Sequence, residues 1–237
     1  MPDDALQISA DLSRPDGIPT YLQETYWWAY VHPNAVSVFE RQWLVNLILW
    51  GNFSRLRDAA LAELGNPING RTLQIACVYG DFSPKLAKRM AEGASLDVVD
   101  VLPIQLKNLR EKMPADARVN PHLANSAALG FADDSYDQTV LFFLLHEQPE
   151  AVRRQTLAEA VRVTRPGGRI VIVDYHQPRH PHPLRYLFKP ILNLLEPFAL
   201  DLWRNEVLTW LPDTVRAEQI RKETYFGGLY QKLVITL

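Results

Sequence analysis

Asp81, His146, Glu147, Asp174 and His176 are of types that move protons or hold metal ions, and each stands just after an apolar run; Tyr79 sits close ahead of Asp81. Carboxylates and imidazoles act as general acids and bases near neutral pH, and the same donors suit a hard divalent cation better than thiolates would. Asp100, Asn125 and Ser126 suggest a second task. Asp100 ends one apolar run, where an acidic side chain can accept from both hydroxyls of a ribose, and Asn125 and Ser126 end the next. Plainer roles are open to several of them. Asp81 can cap a helix beginning near Ser83, Glu147 can be a solvated first-turn acid, and His180 and His182 stand among prolines in what reads as an exposed loop. Cys77 reads as a small core residue, and Asp137 as a structural contact before a strand.

These groups can meet only if the runs that carry them are neighbouring strands. The pattern predicts strands over 73–78, 96–101, 119–124, 139–145 and 169–174, helices over 84–91, 103–112 and 149–164, and a last strand over 230–236. Strand and helix in alternation imply right-handed crossovers and a parallel sheet covered on both faces, and the near-continuous apolar strands agree with that burial. In such a sheet ligands bind beyond the carboxyl ends of the strands, so the polar groups above would line one cleft. Ahead of this core, helical spacing over 34–64 has Gly51 between two helices and Gly65 as a stop. The expected organisation is a disordered tail (1–20), a helical cap (21–69), a cofactor core (70–175), an apolar insertion (176–223) and final strands (224–237).

An apolar fraction of 47% over 237 residues is enough for a substantial core. With 25 Lys+Arg against 27 Asp+Glu, binding of nucleic acid through bulk charge is not expected. The lone Cys77 excludes an intramolecular disulfide framework and a cysteine-built zinc site. The acidic N-terminus lacks the basic start and apolar run of a signal peptide, and the most apolar early stretch, 43–50, is far shorter than the ~20 residues of a spanning helix, so a cytoplasmic protein is expected. Only 11 residues are glycine, few for a chain that cradles a nucleotide-type cofactor, and the six tryptophans, at 27, 28, 43, 50, 203 and 210, all lie outside the predicted core.

LQIACVYGD, LDVVDVLPIQLKNL, NSAALGFADDSYDQTV, LLHEQPEAVRRQTLAEAVRVTRPGGRIVIVDY and YFGGLYQKLVI resemble successive motifs of the class I S-adenosylmethionine-dependent methyltransferases, above all their quinone C-methyltransferase branch. YWWAYVHPNAV, FERQWLVNLILWGN and ACVYGD are similar to the RquA family of rhodoquinone biosynthesis proteins. The resemblance implies an α/β fold with a doubly wound, mostly parallel seven-stranded Rossmann-like sheet. It implies S-adenosylmethionine bound by Gln74, Ala76, Val78, Gly80, Asp100, Val101, Asn125 and Ser126. It further implies that a ring methoxy group of ubiquinone is replaced by an amino group, with S-adenosylmethionine as nitrogen donor and manganese (Mn2+) as cofactor. On that reading Tyr79, Asp81, His146 and Glu147 are the catalytic candidates, Asp81 leading as metal ligand or base and Tyr79 orienting cofactor or quinone; Asp81, His146, Asp174 and His176 are the candidate metal ligands.

One departure from the methyltransferase pattern bears on the reaction. Where that family has an acid followed by G-x-G-x-G, this chain has Gln74, Ala76, Val78 and Gly80. The glycines let backbone approach the cofactor's amino acid end, so Ala76 and Val78 should displace that end, and Gln74 should hold its ammonium less tightly. Such a change would harm methyl transfer but suits chemistry at the cofactor's amino group. Quinone or phenol methylation, and a catalytically dead cofactor-binding scaffold, are the alternative readings. The Trp-rich flanks could line an apolar channel for a polyprenyl tail, opening toward a membrane that Arg179, Arg185, Lys189 and Arg204 would meet; ordinary helix core is the plainer account.

Overall fold

Seven short runs, most of them rich in Val, Ile and Leu, pair into one sheet because their side chains can be buried on both faces while their backbones bond laterally. They are β1 (Arg71–Ile75), β2 (Ser95–Asp100), β3 (Val119–Leu123), β4 (Tyr136–Phe142), β5 (Thr164–Tyr175), β6 (Ile220–Tyr225) and β7 (Tyr230–Thr236), in the order β3-β2-β1-β4-β5-β7-β6. The first five are mutually parallel, and β7 runs antiparallel between β5 and β6. The computed structural model describes residues 18–26, 38–114, 117–216 and 219–237. Of the tail expected over 1–20, residues 1–17 lie outside them, as do the tryptophans at 27 and 28 and the start of the predicted helical run at 34; Thr20 already opens a helix.

Helices α1 (Thr20–Thr25), α2 (Gln42–Ile48) and α3 (Phe53–Leu64) precede the sheet; α4 (Phe82–Ala87), α5 (Pro103–Lys112) and α6 (Glu150–Val163) are crossovers; α7 (Leu184–Leu195) and α8 (Asp201–Arg204) fall between β5 and β6. Gly51 separates α2 from α3 as expected, and Gly65, at φ +111°, stops α3 with a backbone angle that side chains resist. The sheet's order reverses between β1 and β4, which places a crevice at their carboxyl ends.

Two strands end earlier than the apolar pattern suggests. β1 stops at Ile75 because Ala76 turns the chain with φ +72°, and β4 stops at Phe142 because Phe143 does the same with φ +55°. α4 also ends early, at Ala87. β6 escaped the pattern reading: it is a charged edge strand (IRKETY) and starts within the stretch read as insertion. A backbone ladder along β7 holds it, and Glu63 of α3 adds ion pairs to Arg221 of β6 and Lys232 of β7.

Candidate active site

Two cavities open at the carboxyl ends of the strands. The first is bounded by Ala76 after β1, by Asp100, Val101 and Leu102 after β2, by Ala124, Asn125 and Ser126 after β3, and by Phe143 and Leu144 after β4. Asp100 accepts the Cys77 amide at 2.8 Å and the Leu102 amide at 2.9 Å, which ties the turn after β1 to β2. Burial outweighs these bonds and pushes its carboxyl up to about 6. Apolar walls with Asp100 at one end and an Asn-Ser pair fit an adenosine group: Asp100 for ribose hydroxyls, the apolar side chains for a flat base.

The second cavity is apolar. Val45 and Ile48 of α2, Leu49 just after it, Phe53, Val78, Phe142, Phe143 and Tyr175 line it, and His146, Glu147 and Glu196 supply its imidazole and carboxyl groups. Cys77, Phe143 and Glu147 belong to both linings, so the two chambers adjoin there. His146 lies on the one-turn 3-10 helix Leu145–Glu147. Its Nδ1 is 2.9 Å from Asp174 Oδ1, while Nε2 stands 3.7 Å from Glu147 Oε1 and 3.8 Å from Glu196 Oε2. Asp174 also accepts the amides of Leu145 at 2.8 Å, His146 at 3.3 Å and Tyr175 at 2.7 Å, so it fixes both the imidazole and the turn that carries it. Burial alone would lower the imidazole's pKa, but Asp174, Glu196 and Glu147 together raise it to about 9. Glu196 keeps 23% of its side-chain surface open, yet Oε2 points inward without a hydrogen-bond partner, and burial pushes this carboxyl up. A protonated imidazole thus faces two carboxylates at the wall between the chambers. It can deliver a proton to an oxygen bound there, with the carboxylates stabilising its charged form.

Sheet order and site geometry can be set beside known proteins. An O-methyltransferase family protein from Burkholderia thailandensis superposes with a TM-score of 0.67 at 16% identity, over 99% of this chain and 68% of that one. Human N-acetylserotonin methyltransferase in complex with SAM gives 0.63 at 13% identity, over 96% and 64%. The fold is that of the class I methyltransferases. Residues 72–168 of this methyltransferase-fold chain match the family model described as a methyltransferase domain. It is 31% identical over 157 residues to the ubiquinone/menaquinone biosynthesis C-methyltransferase UbiE of Dinoroseobacter shibae, covering 64% of this chain and 60% of that protein. With the demethylmenaquinone methyltransferase of Clavibacter sepedonicus it shares 31% over 174 residues, covering 73% and 64%. The alignment with UbiE of Geotalea daltonii covers 53% of that protein, so the chain spans about half to three fifths of the length of these first curated relatives.

Against the methyltransferase pattern, the turn after β1 keeps a glycine-type backbone without the glycine. Ala76 holds φ +72°, whereas Val78 has no such angle and turns an apolar side chain into the second cavity. Gln74, in place of the family's acid, donates from Nε2 to Ala76 O and to Ser83 Oγ, each at 2.9 Å, and braces the turn from beneath. The Gly80 and Asp81 amides are taken at 3.2 and 3.1 Å by Glu40 and Gln42, on the segment leading into α2.

The candidate residues therefore divide. Ala76, Asp100, Val101, Asn125 and Ser126 meet in the first chamber; Val78, Tyr79, His146 and Glu147 line the second, with Glu147 common to both. Tyr79 stacks on Phe39 and its hydroxyl accepts from Gln105 at 2.9 Å, with burial raising its pKa. Gln74 and Gly80 line neither chamber. Asp81 also faces away: Arg57 clamps its two oxygens at 2.7 and 2.9 Å, and although it sits at the head of α4 it makes no capping bond. His176 is turned from His146, with Nδ1 on Gly228 O at 2.8 Å and Nε2 facing Lys222 at 3.0 Å. The expected metal set of Asp81, His146, Asp174 and His176 is thereby dispersed, and no group of three or more His, Cys, Asp or Glu among the described residues is arranged to hold a metal ion. These residues do not fit manganese. Cys77 lies in the turn, not in a strand; burial, then the Asp100 charge, pushes its thiol well up, which keeps it protonated and unreactive.

Two contributors had no readable signal in the sequence. Glu196 sits at the end of α7, far along the chain from His146. Arg153, inside α6, is fully buried and donates to Leu145 O at 2.9 Å, Gln148 O at 2.8 Å and Phe198 O at 3.1 Å, which locks the His146 turn to the segment after Glu196.

Proposed function

We propose that this protein is an S-adenosylmethionine-dependent enzyme that modifies the ring of a polyprenyl quinone. The observation that carries the reading is the pair of adjoining chambers: one built for an adenosine group, the other apolar, with His146, Glu147 and Glu196 grouped where the two meet. A quinone is the substrate class that such an apolar chamber and the names of the curated relatives both suggest. Asp100, Asn125 and Ser126 would hold the adenosine end, and the cofactor would supply the group transferred. Peripheral contact with a membrane belongs to this reading, because a polyprenyl tail resides there.

Methyl transfer to the ring is the reading that the relatives favour. Exchange of a ring methoxy group for an amino group, as in rhodoquinone formation from ubiquinone, is favoured by two features of the chain itself. The turn after β1 spends its Gly80 and Asp81 amides on Glu40 and Gln42 and braces itself with Gln74, so the amino acid end of the cofactor is not met by the usual glycines and acid. His146, protonated at neutral pH, is set to deliver a proton to a departing methoxide rather than to remove one. In both cases His146 and Glu147 handle protons at the ring oxygen or leaving group, and Asp174 and Arg153 hold them in place. Incubation of the purified protein with S-adenosylmethionine and, in parallel, a short-chain ubiquinone or a short-chain quinol that keeps a ring C–H, followed by mass spectrometry, decides. An aminoquinone formed from ubiquinone with loss of methanol establishes amino transfer, a mass gain of one methylene on the quinol establishes methylation, and both rings unchanged with bound cofactor by calorimetry leaves the scaffold reading.

A further inference from the structure

Helix α7 is apolar on two sides. Leu184, Phe188 and Leu192 are buried in the core, while Tyr186, Leu187, Ile191, Leu194 and Leu195 form a second stripe open to solvent, with Leu194 80% exposed. Globular helices carry one such stripe, so the second has no partner within the described fold. On α2, Trp43 (62% exposed) and Leu47 (64%) form a matching exposed row. The two segments meet where Trp50, after α2, packs edge-on against the buried Phe188 of α7 at 5.9 Å. The apolar chamber lies beneath this seam: Ile48, itself part-exposed, lines it from α2, and Glu196 from the end of α7.

Charge selects among partners. From His176 to Leu195 the chain has no acidic residue but has Arg179, Arg185 and Lys189, and from Arg41 to Arg57 it again has none. Lys189 and Arg41 are exposed, and neither pairs with an acid among the described residues. Arg204, by contrast, is engaged with Asp201 at 3.7 Å. No helix among the described residues is long and apolar enough to cross a membrane, so contact would be made in the plane of the surface.

We propose that the α2–α7 face docks on an anionic phospholipid bilayer, with Leu187, Ile191, Leu194, Trp43 and Leu47 entering the acyl boundary and Lys189 and Arg41 meeting lipid phosphates. The idea rests on the quinone reading for its purpose: the mouth of the apolar chamber is pressed against the phase in which a polyprenyl substrate dissolves. It rests on the exposed side chains alone for its physics.

Sedimentation of the full chain with phosphatidylcholine vesicles containing phosphatidylglycerol tests it, with turnover of a short-chain quinone measured in parallel. Binding at low salt is expected, weakened at least tenfold by Leu187→Gln with Leu194→Gln and about fivefold by Lys189→Gln. Turnover of the soluble quinone should stay unchanged in both variants, since none of these residues lines a chamber. Wild-type protein that turns over the soluble quinone but leaves vesicles unbound overturns the docking face. Vesicle binding without turnover of any quinone keeps the face and removes the functional reading. A leucine double variant that binds vesicles normally but no longer self-associates in sedimentation velocity assigns the face to a second copy of the chain and likewise overturns the proposal.

Discussion

The two chambers share a wall yet are built on opposite principles. Around the adenosine-type crevice the acid is fixed by backbone: Asp100 is taken by the Cys77 and Leu102 amides. The apolar chamber is left unfinished. Its imidazole is overfed with carboxylates, Glu196 Oε2 has no hydrogen-bond partner, and Phe143 is held in a left-handed conformation between the two spaces. An acid fixed by backbone amides is ready for a ligand of constant shape, whereas a buried carboxylate oxygen without a hydrogen bond is tolerated where a substrate completes it. That difference supports the proposal that the cofactor takes the first chamber and the chemistry the second.

The comparison breaks most readily at His146. His146→Gln removes the proton carrier but can keep the bond to Asp174, and turnover should fall by about 10²–10³-fold with little change in cofactor affinity by calorimetry. An equal loss in Asp100→Asn, with cofactor affinity unchanged, would show that the division of labour is wrong.

The second test is pH. The His146 pKa is raised in the fold to about 9 from an ordinary value near 6.5, so its contribution to stability is complete below about pH 6.5 and is lost as pH rises through about 9. The wild-type melting temperature should therefore fall over that window by several degrees more than that of His146→Gln. Parallel curves would remove the charged imidazole from the account.

A smaller effect should follow at Glu196. Glu196→Gln keeps the shape and removes the charge facing Nε2, so the turnover profile should shift to lower pH, with about a tenfold loss at its maximum. A drop at every pH without a shift would make Glu196 merely structural.

The smallest effects separate the two altered glycine positions. Ala76→Gly should stabilise by about 0.5–1 kcal/mol, because its backbone is already left-handed, whereas Val78→Gly should destabilise by about 1–3 kcal/mol through lost packing. Urea titration measures both.

Where the sequence could be read, local physics was in control. The strands β1 to β5, the crossover helices α5 and α6, and the Gly51 and Gly65 breaks follow from periodicity and turn chemistry, and Asp100 and Asn125-Ser126 were found because strand ends in a parallel sheet share one edge. Polar β6 was missed because it is an edge strand of charged, half-exposed side chains, held by backbone pairing with β7 and by ion pairs through Glu63. Asp81 was overvalued for a related reason. Position at a strand end says nothing of Arg57, 24 residues away, which occupies its oxygens.

The sequence by itself determined a doubly wound sheet, the polar groups at its carboxyl edge and an altered first motif, because these depend on spacing of 2 to 4 residues and on the left-handed angle that glycine normally serves. Only the tertiary structure decided which acids reach the imidazole. Asp174, Glu147 and Glu196 meet His146 from β5, from its own turn and from the end of α7. Such charge neighbours, brought together by packing across long stretches of chain, set protonation through distance and burial, and neither quantity is written in the order of the residues.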